Sequence, residues 1–166
     1  MTSKMPDIRI RAAAEPDFRK MWDIFQAVVA GGDALPFSES FDEETFRTHW
    51  FGAQKAYVAS TDARICGMYK LGANYPGRGG HVASATYVVD PAMQGRGIGR
   101  AMVDHSLSQA RGEGYLAMQF NFVVSTNVPA VGLYEKLGFA VVGMLPGAFR
   151  HRDLGFVDAY VMHRHL

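Results

Sequence analysis

The sequence predicts a mixed α/β fold, built as a single domain over residues 1–166 with a largely central sheet. Strand-like and helix-like segments follow one another in a mixed order, with no internal repeat or linker. A chain of 166 residues, 48% of them hydrophobic, is large enough to bury one sizeable core. One strand also runs through a glycine-rich turn directly into an amphipathic helix, at residues 88–100.

The first half of the chain predicts strands and helices from local pattern. Pro16 suits the first turn of a helix whose apolar residues recur at helical spacing until Gly31 ends it. Phe46 and Trp50 lie one helical turn apart, which indicates a second, shorter helix. The predicted elements are a strand at residues 8–11, helices at 15–30 and 42–50, and a hairpin of strands at 56–59 and 65–71.

The second half predicts a regular alternation of strands and helices. Asn127 is a good helix cap, Pro129 suits a first helical turn, and Gly138 suits a helix end. A loop containing residues 146–152 is expected between the last two strands. The predicted elements are strands at 81–89, 115–123, 139–145 and 156–162, and helices at 97–112 and 128–137.

Composition and charge exclude several function classes. Seventeen Lys and Arg against sixteen Asp and Glu give a formal net charge of +1, without the basic excess of a nucleic-acid-binding protein. No apolar run approaches membrane-spanning length, and residues 1–7 show no cleavage signal, so we expect a cytoplasmic protein without a membrane partner. Cys66 is the single cysteine, and its strand-like flanks predict a packed core thiol. No metal site is predicted.

The glycine-rich turn predicts a seat for a phosphate or pyrophosphate. Such a turn aims several backbone N–H groups and the positive end of a helix at one point, and Arg96 and Arg100 add charged donors. The turn lacks the Gly-Lys-Ser/Thr ending of a P-loop. It also has Arg100 where a dinucleotide-binding fingerprint needs its third glycine. The sequence therefore favours a nucleotide-like ligand that is bound by neither of these two motifs.

Two motifs resemble the GNAT N-acetyltransferase superfamily. Residues 94–99 match the family's acetyl-CoA motif, Gln/Arg-x-x-Gly-x-Gly/Ala, at every fixed position. Residues 126–139 are similar to its second signature, with Asn127 at a helix start, Tyr134 within the helix and Leu-Gly-Phe at the exit. The resemblance covers roughly residues 8–163, and it implies a mostly antiparallel sheet with one splayed parallel strand pair, flanked by about four helices.

The resemblance implies acetyl-CoA as acyl donor and places it on this chain. The pantetheine arm is expected between the strands that contain Val89 and Phe120, with the pyrophosphate on the glycine-rich turn. The cofactor-binding residues implied by the family motifs are Val88, Val89, Gln94, Gly95, Arg96, Gly97, Ile98, Gly99, Arg100, Asn127 and Tyr134.

The resemblance also implies direct attack of a neutral amine on the thioester, but it leaves the general base open. Tyr134 stands at the family's usual general-acid position, where it either protonates the departing thiolate or only packs against the thioester. Many relatives carry a glutamate on the strand before the turn, whereas residues 81–87 contain no carboxylate. His81, Ser84 through a water, and Asn121 as an orienting residue are the candidates. Asn121 lies in an apolar run, so its amide is expected either to bond backbone or to face the cleft.

We expect a small-molecule amine or amino-acid-like compound as acceptor. Residues 120–127 and 156–159 resemble fungal acetyltransferases that act on proline analogues, although Ser84 stands where those enzymes carry an asparagine. The segments at 35–37 and 149–152 are expected to flank the acceptor. The alternatives are a protein N-terminal or lysine acetyltransferase and a non-catalytic acyl-CoA-binding module. The resemblance leaves a homodimer open.

Overall fold

In a computed structural model that describes residues 7–166, the chain forms one mixed sheet with helices on both faces. The expectation that residues 1–7 carry no cleavage signal falls largely on residues 1–6, which lie outside the described part. The helices are α1 (Phe18–Gly31), α2 (Glu43–Trp50), α3 (Ile98–Gly112) and α4 (Val128–Lys136). The strands are β1 (Arg9–Ala12), β2 (Lys55–Thr61), β3 (Arg64–Ala73), β4 (Val82–Val89), β5 (Ala117–Val124), β6 (Ala140–His151) and β7 (Gly155–His165).

The sheet confirms the predicted mostly antiparallel arrangement with one parallel pair. Its strand order is β1-β2-β3-β4-β5-β7-β6. Only β4 and β5 run parallel, and they pair at two positions, Val82 with Ala117 and Ala83 with Met118. Beyond Ala83 the two strands separate, so the middle of the sheet opens toward the carboxyl end of β4.

The two faces of the sheet carry different cores. Helices α3 and α4 cover the face that contains Tyr69, Met118 and Phe120. Helices α1 and α2 cover the other face with an aromatic cluster, in which the Phe25 and Phe46 rings lie 5.0 Å apart. The burial of each of these side chains removes apolar surface from water and stabilises the fold by roughly 1.5–3 kcal/mol. No helix within residues 7–166 has the length and apolar character needed to cross a bilayer.

The predicted loop at residues 146–152 is wrong, because β6 continues to His151. Pairing with β7 shifts between Leu145 and Phe149, and it resumes where Phe149 faces Val157. Pro146 has no N–H to give to a ladder, and Gly147 adopts a left-handed φ of 57°. The Gly147 N–H donates to Asp158 Oδ1 at 2.9 Å. The turn-like residues therefore form a bulge within a long hairpin.

Asp17 fixes the entry into α1. Its carboxylate is 6% exposed and accepts two hydrogen bonds from Arg11, at 2.7 and 2.8 Å, and one from the Ala14 N–H at 2.8 Å. The hydrogen bonds from Arg11 lower the pKa of Asp17 against the opposing effect of its burial. The folded state therefore favours the ionised carboxylate more than the unfolded chain does.

We expect Asp17→Asn to lower the free energy of unfolding by about 1–3 kcal/mol at pH 7, since it removes a buried charged acceptor. A carboxylate with a lowered folded pKa stabilises the fold above its unfolded pKa of about 4, and this contribution is lost as the pH falls further. The difference between variant and wild type should therefore shrink between pH 5 and about pH 2. Urea denaturation across this range measures it, with Asp23→Asn, in an exposed pair with Arg19, as control. A loss that does not vary with pH would contradict the assigned role.

Candidate active site

A cleft of about 800 Å³ occupies the opening between β4 and β5. Its walls come from the start of α3, from α4, from the segment between α1 and α2, and from the end of β6. The predicted site residues that line it are Ser84, Val88, Val89, Gln94, Gly95, Gly97, Ile98, Gly99, Arg100, Asn121, Asn127 and Tyr134. Arg96 is exposed and does not belong to this lining.

The glycine-rich turn presents backbone donors at one end of the cleft. Gly95 and Gly97 have left-handed φ values of 75° and 81°, which glycine adopts without steric cost. Helix α3 then begins at Ile98, so its first unpaired N–H groups point toward the turn. Arg100 is exposed at the rim and lies 3.6 Å from Asp104. These donors, together with the positive end of α3, fit a phosphate or pyrophosphate.

The backbone of β4 offers a second row of polar groups. The Asp90 N–H donates to Cys66 O, and Val82 O accepts from the Asn74 N–H, so the even-numbered residues of β4 bond to β3. By alternation, the N–H and C=O groups of Ala85, Tyr87 and Val89 point away from β3, toward the opening. Val88 and Val89 are both expected from the sequence to bind the cofactor, and of these two residues only Val89 has a backbone N–H that points into the cleft.

Tyr134 reaches the cleft from α4. Its ring centroid lies 4.6 Å from that of Phe120 and 6.2 Å from that of Tyr87. Burial raises the pKa of the Tyr134 hydroxyl above its usual value, so this group carries a proton at neutral pH. Its hydroxyl makes no hydrogen bond with another side chain in the described chain. Asn127 caps α4 as predicted, with its Oδ1 accepting from the Ala130 N–H at 3.4 Å.

Polar side chains line the cleft on the sheet face that α1 and α2 cover. We call this the acceptor side, after the expectation that residues 35–37 flank the acceptor. Asn121 lies where the pairing of β5 with β7 shifts between Phe120 and Val123. Its side chain is exposed, which corrects the expectation of a buried amide, because the shift displaces this residue from the regular ladder. Asn121 Nδ2 donates to Asn74 Oδ1 at 2.6 Å, and its Oδ1 accepts from Gln119 at 2.9 Å. Asn121 thus faces the cleft with its amide oriented by two other amides.

The candidate bases fall in different places. Ser84 lines the cleft, whereas His81 is exposed and lies outside its lining. Two cleft residues that the sequence did not single out are Asp33 and His151. Their segments meet where the Arg152 N–H donates to Gly32 O at 2.9 Å. The sequence pointed to Asp33 and His151 only indirectly, because they lie in or near the segments that are expected to flank the acceptor.

His151 has a defined tautomer. Its Nδ1 accepts from the backbone N–H groups of Asp153 and Leu154, at 3.0 and 3.2 Å. The proton of a neutral ring therefore sits on Nε2, which gives this residue of the cleft lining an N–H donor. Asp33 then supplies the carboxylate of the lining. Among residues 7–166, His, Cys, Asp and Glu side chains form no cluster of three suited to a metal ion.

Comparison with known proteins agrees with this geometry. The model of the acetyltransferase (GNAT) family matches residues 18–139. The N-acetyltransferase aca1 of Schizosaccharomyces pombe is 33% identical over 102 residues, which are 61% of this chain and 49% of that protein. The chain thus spans about half the length of aca1.

Two further matches cover nearly the whole chain. The N-alpha-acetyltransferase RimI of Mycobacterium tuberculosis is 30% identical over 166 residues, covering 99% of this chain and 96% of that protein. The structure of a GCN5-related N-acetyltransferase from Kribbella flavida superposes with a TM-score of 0.92 at 36% identity, covering 96% of this chain and 98% of that one. The chain therefore belongs to the GNAT family of acetyltransferases.

Proposed function

We propose that this chain transfers an acetyl group from acetyl-CoA to the amine of a small, amino-acid-like acceptor. The observation that carries the proposal is the separation of β4 and β5 beyond Ala83. It leaves a row of unpaired backbone groups on β4 that leads to the glycine-rich turn. An extended amide-containing arm fits such a row as a strand would, and a pyrophosphate fits the turn.

The residues of the chain can support direct transfer. Acetyl-CoA supplies an acetyl thioester, whose carbonyl carbon bonds to the acceptor nitrogen as its C–S bond breaks, giving an amide and the CoA thiol. The Val89 N–H would donate to the carbonyl oxygen as charge develops there, a contribution of about 3 kcal/mol in comparable sites. The Tyr134 hydroxyl would give its proton to the departing thiolate, and the proton that the acceptor nitrogen loses as the amide forms would restore the hydroxyl.

The acceptor must lose a proton, because alkylamines titrate near pH ~10. Asp33 lines the cleft and is our choice for the proton acceptor, through a water molecule. Ser84 and Asn121 lie on the polar side of the cleft, where they would orient the nitrogen and that water. Asp33 would thus take the role of the glutamate that many relatives carry on the strand before the turn.

Cleft size favours a small acceptor. The space of about 800 Å³ must hold the end of the thioester arm as well as the amine. Leu35 and Phe37 from the segment between α1 and α2, and His151 from β6, line it on the acceptor side. A protein N-terminus is the second candidate acceptor, because RimI is similar over almost the full length of this chain.

An acceptor screen tests the proposed function. Purified protein and acetyl-CoA would be offered amino acids, polyamines and short peptides, with thiol release as the readout. We expect turnover with an amino acid or another small amine. Turnover confined to peptides would transfer the proposal to protein N-termini, and acetyl-CoA binding without any turnover would indicate a non-catalytic module.

We expect Gly99→Glu to abolish the rise in melting temperature that acetyl-CoA causes. A Cβ at this position would lie 3.6 Å from Leu133 and 3.9 Å from Val89, so the backbone accommodates the start of a side chain without a clash. The added carboxylate would repel the phosphates at the start of α3. Thermal denaturation with and without ligand measures the effect. Gly112→Glu, at the other end of the same helix, is the control, and an unchanged ligand shift in Gly99→Glu would refute the phosphate seat.

Tyr134→Phe should lower turnover about 10- to 100-fold and leave acetyl-CoA affinity nearly unchanged, since only the proton donor is lost. Steady-state kinetics and calorimetry separate the two quantities. Tyr160→Phe, on β7 outside the cleft lining, should have little effect on either. Equal turnover in Tyr134→Phe and wild type would remove this hydroxyl from the chemistry.

Asn121→Ala should raise the KM of the amine several-fold more than the KM of acetyl-CoA, because the amide faces the acceptor side of the cleft. Asn74→Ala is the matched variant, since it removes the partner amide while leaving Asn121 in place. We expect a smaller change in the amine KM for Asn74→Ala. A larger rise in the acetyl-CoA KM for Asn121→Ala would contradict this assignment.

A further inference from the structure

A buried lysine lies outside the main cleft and has no acidic partner. Lys70 on β3 is 7% exposed, the only lysine buried to this extent within residues 7–166. Its Nζ lies 2.6 Å from His49 Nε2 and 3.5 Å from His49 O. In the described part of the chain, no carboxylate lies within 4.0 Å of this ammonium. A buried charge without a counter-ion is costly, so its environment needs an explanation.

Lys70 lines a second, open pocket of about 400 Å³. The pocket is lined by Thr45, Thr48, His49, Ala53, Gln54 and Lys70, none of which is acidic. The Thr48 hydroxyl donates to Glu44 O, which leaves Thr45, Gln54 and the ammonium as donors toward the pocket. Gln54 lies over Gly72, where a Cβ would approach its Cγ to 2.6 Å. The lack of a side chain at residue 72 therefore makes room for the amide.

The Lys70–His49 pair presents positive charge at neutral pH. Burial lowers the pKa of Lys70 to about 8, so most of the lysine remains protonated at pH 7. Burial, and to a smaller extent the Lys70 charge, lowers the pKa of His49, so the imidazole is neutral. Its Nε2 then accepts a hydrogen bond from the ammonium, and at least one lysine N–H is left for a ligand.

The pocket lies directly behind the acceptor side of the main cleft. Lys70 faces Thr86 across β3 and β4, so both side chains lie on the same face of the sheet, and Thr86 lines the cleft. The His49 ring meets the ring of Phe37 edge-on at 5.5 Å, and Phe37 also lines the cleft. Thr86 and Phe37 are therefore neighbours of both the pocket and the cleft.

We propose that the Lys70 pocket binds a carboxylate or a similar small oxyanion. Such a group would supply the missing counter-charge and accept from the ammonium and from Thr45 or Gln54. The source is either the carboxylate of the acceptor or a free anion. The first source rests on the proposed function, whereas binding of a free anion does not.

Acetate titration of the ligand-free protein tests the pocket without turnover. Sodium acetate would replace chloride at constant ionic strength up to 100 mM, with the imidazole ¹⁵N resonances of His49 as readout, assigned through His49→Gln. We expect a saturable shift in wild type and in the control variant Lys55→Met, which removes an exposed lysine from the neighbouring strand β2. Lys70→Met should weaken acetate binding at least tenfold, and Lys70→Arg should retain it. Thermal denaturation would verify that each variant is folded.

No saturable shift in the wild type, or an equal shift in Lys70→Met, would overturn the proposal. Kinetics then identify the source of the anion with α-amino acids and their primary amides as paired acceptors. A KM that rises at least tenfold in Lys70→Met for the acid but not for its amide assigns the pocket to the acceptor. Equal KM changes, with acetate binding lost in the variant, assign it to a free anion. Failure of turnover alone would count against the proposed function and leave the acetate result intact.

Discussion

The opening between β4 and β5 is the constraint on which the rest of this structure depends. Two pairs of residues hold the strands together, and then aromatic side chains occupy the α3 and α4 side of the opening. The Tyr87 and Phe120 rings, one from each strand, meet edge-on at 5.7 Å, and Tyr134 packs on Phe120. These rings take up the space beneath the opening and leave the backbone groups of β4 available to a ligand.

The two faces of the sheet contribute different sets of residues to the cleft. The glycine-rich turn and Tyr134 belong to the side built by α3 and α4, where a phosphate-containing donor fits. Asn121, Ser84 and Thr86 belong to the polar side near α1 and α2, where an acceptor amine fits. Because side chains alternate along a strand, β4 contributes to both sides with neighbouring residues. Under the proposed function, the reacting atoms would meet at the edge that the two sides share.

At Lys70, the layer between α2 and the sheet differs from an ordinary hydrophobic layer. Helix α2 covers the sheet with aromatic side chains, yet it places His49 against a buried ammonium. An apolar residue of similar length would avoid the cost of burying a charge. A site that receives an anion explains this arrangement together with the acid-free lining of the pocket.

The sequence by itself determined the order of the elements, the glycine-rich turn before α3 and the Asn127 cap, because these follow from local rules of glycine, proline and capping geometry. The sequence predicts a loop where β6 has a bulge, because Pro146 and Gly147 are typical of loops and of β-bulges alike. Only the tertiary structure decided that Asn121 is exposed, that Asp33 and His151 share a wall, and that Lys70 meets His49. These outcomes depend on strand register and helix docking between residues far apart in the chain, which local pattern does not encode.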